Sequence, residues 1–254
     1  MNSGLIGNLY WIRILITLLF VWILLFEFIL PVNEILPAPT TVIDTSIHLF
    51  IEYNLLIHLL STVGVVYLSI AIGFFLTFIF RNNLLNEDSR IFKIIFPLGN
   101  LPAFIPLIFI AIFFVYWFPG SELIEFVFAL LIIFFSHVLT IGKSIKSVNE
   151  ELLVSSLSFG LSKKVIRNDI IWKSILPKLR EQTIETHSLL WTIILTFEFI
   201  KGGYGVGAIL KMLLEVNDLS GITAVIIIAL SLILILTGLS RYLLNKLIFW
   251  DSNE

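Results

Sequence analysis

Few residues in this chain are of types that do chemistry, and their spacing excludes most reactions. Gly142-Lys143-Ser144 has the tail of a phosphate-binding loop, in which backbone N–H groups and a lysine cradle a triphosphate. That pattern needs an earlier glycine where His137 stands, and a strand before it, so ATP binding by this chain is rejected. The run Gly202–Gly207 partly matches a dinucleotide fingerprint, but it follows an apolar helical stretch rather than a strand. His48, His58, His137 and His187 form no i,i+4 pair and no HExxH, so no metal centre is predicted. The chain has no cysteine, which removes thiolate nucleophiles, disulfides and sulfur ligands. No Ser-His-Asp set and no paired catalytic carboxylates are present, so neither enzymatic activity nor a bound cofactor is expected. What remains is a set of polar residues inside apolar sequence. Glu27 and Glu198 are acids in or near apolar segments, where lipid exposure of a charge costs about 2.5–3.5 kcal/mol on insertion scales. Glu198 suits a structural or gating role beside a path. Glu27, near a segment end, suits snorkelling. Pro102 and Pro106 would free backbone carbonyls that need a protein or water neighbour, which fits a helix lining a path or a structural kink.

The elements that must position these residues are membrane helices. The 254 residues are 58% hydrophobic with a mean hydropathy of +1.03, and only 13% are charged, against about 25% in soluble domains. A net charge of −2 without a basic surface argues against a nucleic-acid partner. A crossing helix needs roughly 20 apolar residues. Segments of that kind lie at about 12–30, 55–80, 98–118, 123–141, 184–200 and 222–243. The fold class expected is therefore all-α integral membrane, one domain over 1–254 with six transmembrane helices. Pro119-Gly120-Ser121 should close a tight hairpin between the third and fourth spans. With both termini inside, 14 of the 16 Lys and Arg residues fall on inner segments, leaving Lys201 and Lys211 outside. The positive-inside rule then puts the N- and C-termini in the cytoplasm.

Between spans 4 and 5 lies a long polar loop, 143–180, holding eight of the 16 basic residues. Glu150 to Phe159 reads as a helix, with Glu150 and Glu151 placed in its first turn against the helix dipole. Leu153, Leu157 and Leu161 make an apolar stripe, while Ser155, Ser156 and Ser158 keep the other side thin. Gly160 suits a helix C-terminus, Ser162 can cap a second helix over Lys163–Lys173, and Pro177 should stop or kink it. Such a helix–corner–helix could lie in the lipid interface or dock a cytoplasmic protein; its physics suits both.

Several motifs in order along the chain carry a resemblance. Leu36-Pro37-Ala38-Pro39-Thr40-Thr41-Val42, His58-Leu59-Leu60-Ser61-Thr62 and Pro102-Ala103-Phe104-Ile105-Pro106-Leu107 come first. They are followed by Val148-Asn149-Glu150-Glu151-Leu152-Leu153 with Gly160 and Pro177, and by Glu198 with Gly203-Tyr204-Gly205-Val206-Gly207. Together they resemble the permease subunit of a binding-protein-dependent ABC importer of the nitrate/sulfonate/taurine type, a type I, MetI-like fold. The resemblance implies a bacterial inner-membrane protein that pairs with a second permease subunit, like or unlike itself. It also implies an extracytoplasmic solute-binding protein, and cytoplasmic ATPase subunits that hold the ATP and magnesium. It makes Glu150, Glu151, Leu153, Val154, Ser155, Ser156, Leu157, Gly160 and Ser162 an ATPase-docking coupling helix. Pro102, Pro106, Glu198, Gly203, Gly205 and Gly207 become candidates for the path or its gate. Val154 stands where the family's loop glutamate is usual, Ser155 and Ser156 replace its alanines, and Lys173 replaces the first of its two prolines. A different class of function, a non-transporting scaffold that recruits a cytoplasmic protein through the basic loop, shares the same fold.

Overall fold

The computed structural model describes residues 13–14, 16–30, 36–100, 105–121, 123–148 and 150–250, and the side chain of Glu150 lies outside the description. Every regular element among them is a helix. In chain order these are α1 (Ile16–Ile29), α2 (Pro39–Ile51), α3 (Leu55–Leu84), α4 (Arg90–Gly99) and α5 (Leu107–Trp117). Then follow α6 (Ile124–Ile145), α7 (Glu150–Ser158), α8 (Lys163–Lys201), α9 (Val206–Glu215) and α10 (Leu219–Leu247).

The centre is the packing of α3, α6 and α8. In α3 a stripe of Thr62, Val66, Ser69, Gly73 and Thr77 is fully buried. Small residues let helix backbones approach in lipid, where apolar burial gives no drive for association. A methyl at Gly73 would run into the Ile133 side chain of α6, and one at Gly142 into the Phe96 ring of α4. Buried polar pairs cross the same interfaces. His137 Nε2 lies 3.0 Å from Thr183 Oγ1 and its Nδ1 lies 3.1 Å from Thr77 Oγ1. Around this centre α4 and α5 cover one side, and α2, α9 and α10 cluster on another.

Three described helices, α3, α6 and α10, are long and apolar enough to cross a membrane, and α8 with α9 qualifies as a pair bent by 48°. The protein is thus an all-helical, multi-pass membrane protein. The first and third predicted spans contain shorter helices, Ile16–Ile29 and Leu107–Trp117. At about 1.5 Å per residue the latter reaches about 16 Å, roughly half the hydrocarbon thickness. It starts after Pro106, which occupies its N-cap and is exposed rather than set within a helix. Pro102 lies outside the described residues. The Pro119–Ser121 turn forms as predicted, with Gly120 at φ 79°.

The polar loop is shorter than its sequence suggests. Helix α8 begins at Lys163 and runs unbroken to Lys201, so its second half is the fifth predicted span and its first half takes up nearly half of 143–180. A hydropathy window sees only the part inside lipid, whereas the helix continues into the polar layer. Pro177 neither stops nor ends it. A proline deprives the carbonyl four residues earlier of its N–H partner, here that of Lys173. The Trp250 indole N–H donates to that carbonyl at 3.0 Å, and Arg180 Nη1 donates to Ile248 O at 2.7 Å. The segment after α10 therefore satisfies the break that Pro177 creates. One turn of π-helix, Ile166–Ile171, precedes it.

Glu27 also has a defined partner. Its Oε1 accepts the backbone N–H of Thr40 at 2.7 Å, in the first turn of α2, where Ala38 offers no side-chain cap. The carboxylate meets the positive end of that helix, so it caps α2 instead of merely snorkelling.

Candidate functional site

At the end of the molecule where α8 meets α9, Glu198 is completely buried. Its Oε1 accepts the Thr62 hydroxyl at 2.7 Å and its Oε2 accepts the Gly207 N–H at 2.9 Å. Thr62 Oγ1 in turn accepts the Val206 N–H at 3.0 Å, and His58 Nδ1 accepts the Gly205 N–H at 3.0 Å. The same Nδ1 lies 3.1 Å from Gly205 O, so His58 meets both backbone polar atoms of that glycine. Three successive backbone amides at the start of α9 are thus held by α3 and α8 side chains. This is how the chain satisfies orphan donors at a helix N-terminus buried in the membrane. The glycines are steric requirements. A Cβ at Gly205 (φ 102°) would overlap the Glu198 carboxyl, and one at Gly207 would overlap Leu195 O and stand 2.7 Å from Phe199 N. Gly203 (φ 89°) is different: nothing approaches it, and it lines an open cavity of about 410 Å³ with Tyr53, His58 and Lys211. Nearby, Lys201 Nζ stands 3.8 Å from Oε2 of the buried Glu125.

At the opposite end α7 projects from the body on a corner built as its residues dictate. Gly160 takes φ 75°, with nothing near the position of a Cβ, and Ser162 Oγ accepts the Val165 N–H at 3.4 Å. The serine hydroxyls fold back on their own helix. Ser155 donates to Glu151 O at 2.8 Å, Ser156 to Leu152 O at 2.5 Å and Ser158 to Val154 O at 3.0 Å. Of the thin side only Ser156 is buried, where α7 meets the protein's own π-helical turn, while Ser155 and Ser158 are exposed. The outer side is apolar. Val154 is 62% exposed, Leu157 53% and Phe159 84%, although Lys163 and Lys164 lie a few residues away. The predicted stripe is accordingly shifted. Leu157 and Leu161 are exposed, Leu153 is half-buried, and Val154 and Phe159 complete the patch. Phe159 was not among the sequence candidates; an aromatic residue just before a corner glycine in polar sequence was the available signal.

A third feature lies between α5, α6 and α8, a cavity of about 430 Å³. Phe114, Phe128, Phe135 and Leu139 give it an apolar wall. One polar strip crosses it. Ser136 and Thr186 hydroxyls are 2.9 Å apart, Gln182 Nε2 donates to Thr186 Oγ1 at 3.1 Å, and Thr140 donates to Gln182 Oε1 at 3.2 Å. Lys143 stands at the end nearest α7. Of the residues proposed from sequence for a path, Glu198, Gly205 and Gly207 come together in the clamp, Gly203 lies at its open edge, and Pro106 stands apart at the start of α5. None of these five described residues lines this cavity. Among the described residues no cluster of three or more His, Asp or Glu could hold a metal ion.

Comparison with curated proteins finds no match. A family model does match, over residues 69–249, and it describes a binding-protein-dependent transport system inner membrane component. The matched region contains α6, the α7 corner, α8 and the Glu198 and Gly205–Gly207 side of the clamp, whose partners Thr62 and His58 precede it. This chain belongs to that family, the MetI-like permeases of binding-protein-dependent transport.

Proposed function

We propose that this chain is the membrane half of an ABC importer, forming the passage for a small solute and receiving the energy of ATP hydrolysis through α7. The observation that carries this reading is the exposed Val154–Leu157–Phe159 patch at the basic end. An apolar patch held out on a polar corner marks a protein contact, and its partner here is a separate ATPase subunit carrying ATP and magnesium. Force on α7 enters the π-helical turn against which it packs, and from there passes along the unbroken helix α8 to Lys201. At the far end the clamp fastens α8 to α9 and α3, so the movement is shared rather than lost at the break. The cavity between α5, α6 and α8, with its polar strip, suits the passage. It would be completed by a second permease subunit of the same or a different kind. An extracytoplasmic binding protein would deliver the solute near Gly203 and Lys211. In this reading both termini lie in the cytoplasm and the chain crosses six times, as the positive-inside rule favours. The chain itself performs no covalent step.

The test uses the intact transporter in native membranes. Gly160→Val forces a β-branched residue into a left-handed backbone position, and Leu157→Asp puts a charge in the apolar patch. Each variant is expected to insert normally, to lower solute uptake at least tenfold and to weaken recovery of the ATPase. Unchanged uptake in both variants sinks the docking assignment.

A further inference from the structure

The half of α10 nearest the basic end is poorly attached. Its buried residues, Gly221, Ala224, Val225 and Ala229, all lie in the other half. Ile233 and Leu236 still pack on the core around Val66 and Leu190, but between Thr237 and Leu247 a gap of about 380 Å³ opens against α3 and α8. A hydrogen-bonded bridge closes the deep end of this gap. The Tyr67 hydroxyl lies 2.8 Å from Ser240 Oγ and 3.1 Å from both Leu236 O and His187 Nε2. His187 Nε2 also accepts the Trp191 indole N–H at 3.2 Å. These polar atoms already serve one another, so they offer little to an incoming polar solute.

Thr183 and Thr237 also line it, the first donating to Leu179 O at 2.7 Å and the second lying 3.4 Å from His187 Nδ1, and the rest of the wall is hydrocarbon, including Ile70, Ala71, Ile184, Leu243, Leu244 and Leu247. An apolar space of this size has no partners with which to hold water, and it opens between membrane helices. One cation lines it. Arg241 is exposed and makes no hydrogen bond or ion pair with another described residue. Helix α10 is about 43 Å long, longer than the roughly 30 Å hydrocarbon layer. Arg241 lies about 9 Å from its basic end, which puts it at the headgroup boundary of that leaflet.

We infer that the gap between α3, α8 and α10 is a binding site for one anionic phospholipid of that leaflet, its acyl chain against Ala71 and Leu244 and its phosphate on Arg241. Charge complementarity selects this occupant over a neutral lipid. The lack of free polar groups in the walls selects a chain over a polar solute. A bound lipid would fill a space the protein leaves empty and hold the loose half of α10 at a set distance from α8. This site is separate from the α7 patch and from the cavity between α5, α6 and α8, so it stands whether or not the proposed coupling does.

The experiment is native mass spectrometry of the full-length chain, delipidated in mild detergent and re-supplied with phosphatidylglycerol or phosphatidylcholine. The wild type should retain one phosphatidylglycerol in preference to phosphatidylcholine. Arg241→Gln should weaken phosphatidylglycerol binding about fivefold and abolish the preference, while Arg241→Lys should keep most of it. Ala71→Trp, which fills the slot, should remove binding of both lipids while leaving the chain folded by circular dichroism. Equal retention of both lipids, unaffected by Arg241→Gln, would overturn the site. So would a disulfide from Leu243→Cys to a second permease chain in the native membrane, because the gap would then be a protein interface.

Discussion

Gly207 is where the clamp can be broken by a single carbon. A Cβ there would overlap Leu195 O, approach Phe199 N to 2.7 Å and Glu198 Cβ to 2.8 Å. Two of these are backbone atoms, which no rotamer change can move aside. Overpacking of this kind costs about 1–3 kcal/mol. Moving α9 away to relieve it would break the 2.9 Å Gly207 N–H bond to Glu198 and leave both groups buried and unpaired, about 1–3 kcal/mol more. Gly207→Ala should therefore destabilise by about 2–6 kcal/mol. Two other glycines separate steric from backbone effects. Gly203 has open space but φ 89°, so Gly203→Ala should cost only about 1–2 kcal/mol of backbone strain. Gly64 is helical with nothing within 4 Å, so Gly64→Ala should be neutral or stabilising by up to about 1 kcal/mol. Unfolding of the three purified variants in a mixed-micelle denaturant series gives the order directly. If Gly207→Ala unfolds no earlier than Gly64→Ala, the clamp does not hold α9 and the reasoning fails.

Further outcomes follow from the same contacts. Glu198→Gln can keep Oε1 on the Gly207 N–H while its amide donates to Thr62 Oγ1, whose hydroxyl then turns to His58 O, 3.1 Å away. It should cost no more than about 1 kcal/mol, whereas Glu198→Leu, which leaves the buried Gly207 N–H without an acceptor, should cost about 1–3 kcal/mol in the same unfolding assay. Retained folding with lost uptake in Glu198→Gln would show that the charge, and not only the clamp, is used. Trp250→Phe removes the donor to Lys173 O and should cost about 1 kcal/mol. In a Pro177→Ala background the restored N–H can serve that carbonyl, so the same change should cost less. A double-mutant cycle showing no coupling between these positions would refute the pairing.

Much of this was legible in the sequence because membrane helices write themselves in long apolar runs. The ranges 55–80 and 222–243 lie inside observed helices, 123–141 does so from its second residue, and the Gly160 corner follows from a glycine between two helical patterns. The Glu198 and Gly205–Gly207 residues were visible as a group, but their partners Thr62 and His58 lie on α3, about 140 residues earlier in the chain, and only packing brings them together. Three features went unread for physical reasons. One is the continuity of α8: its first part reads as a separate helix over Lys163–Lys173, but that part is polar, so hydropathy does not join it to the fifth span. Pro177 is accommodated because Trp250, 73 residues later, supplies the missing donor. Helices α2, α4 and α9, of 13, 10 and 10 residues, are too short to look like spans. Ser156 shows the limit of pattern reading in the other direction, since it is buried while its neighbours Ser155 and Ser158 and the apolar Val154 and Leu157 are exposed.

The central claim is that the Val154–Leu157–Phe159 patch touches an ATPase. The most direct measurement replaces Phe159, whose side chain points away from the body, with a photo-crosslinking residue in cells. The adduct is then recovered from native membranes and identified. The account predicts a crosslinked protein with a nucleotide-binding fold, lost when Leu157→Asp is added. Adducts formed only with lipid, from membranes in which the ATPase still co-purifies, would contradict it.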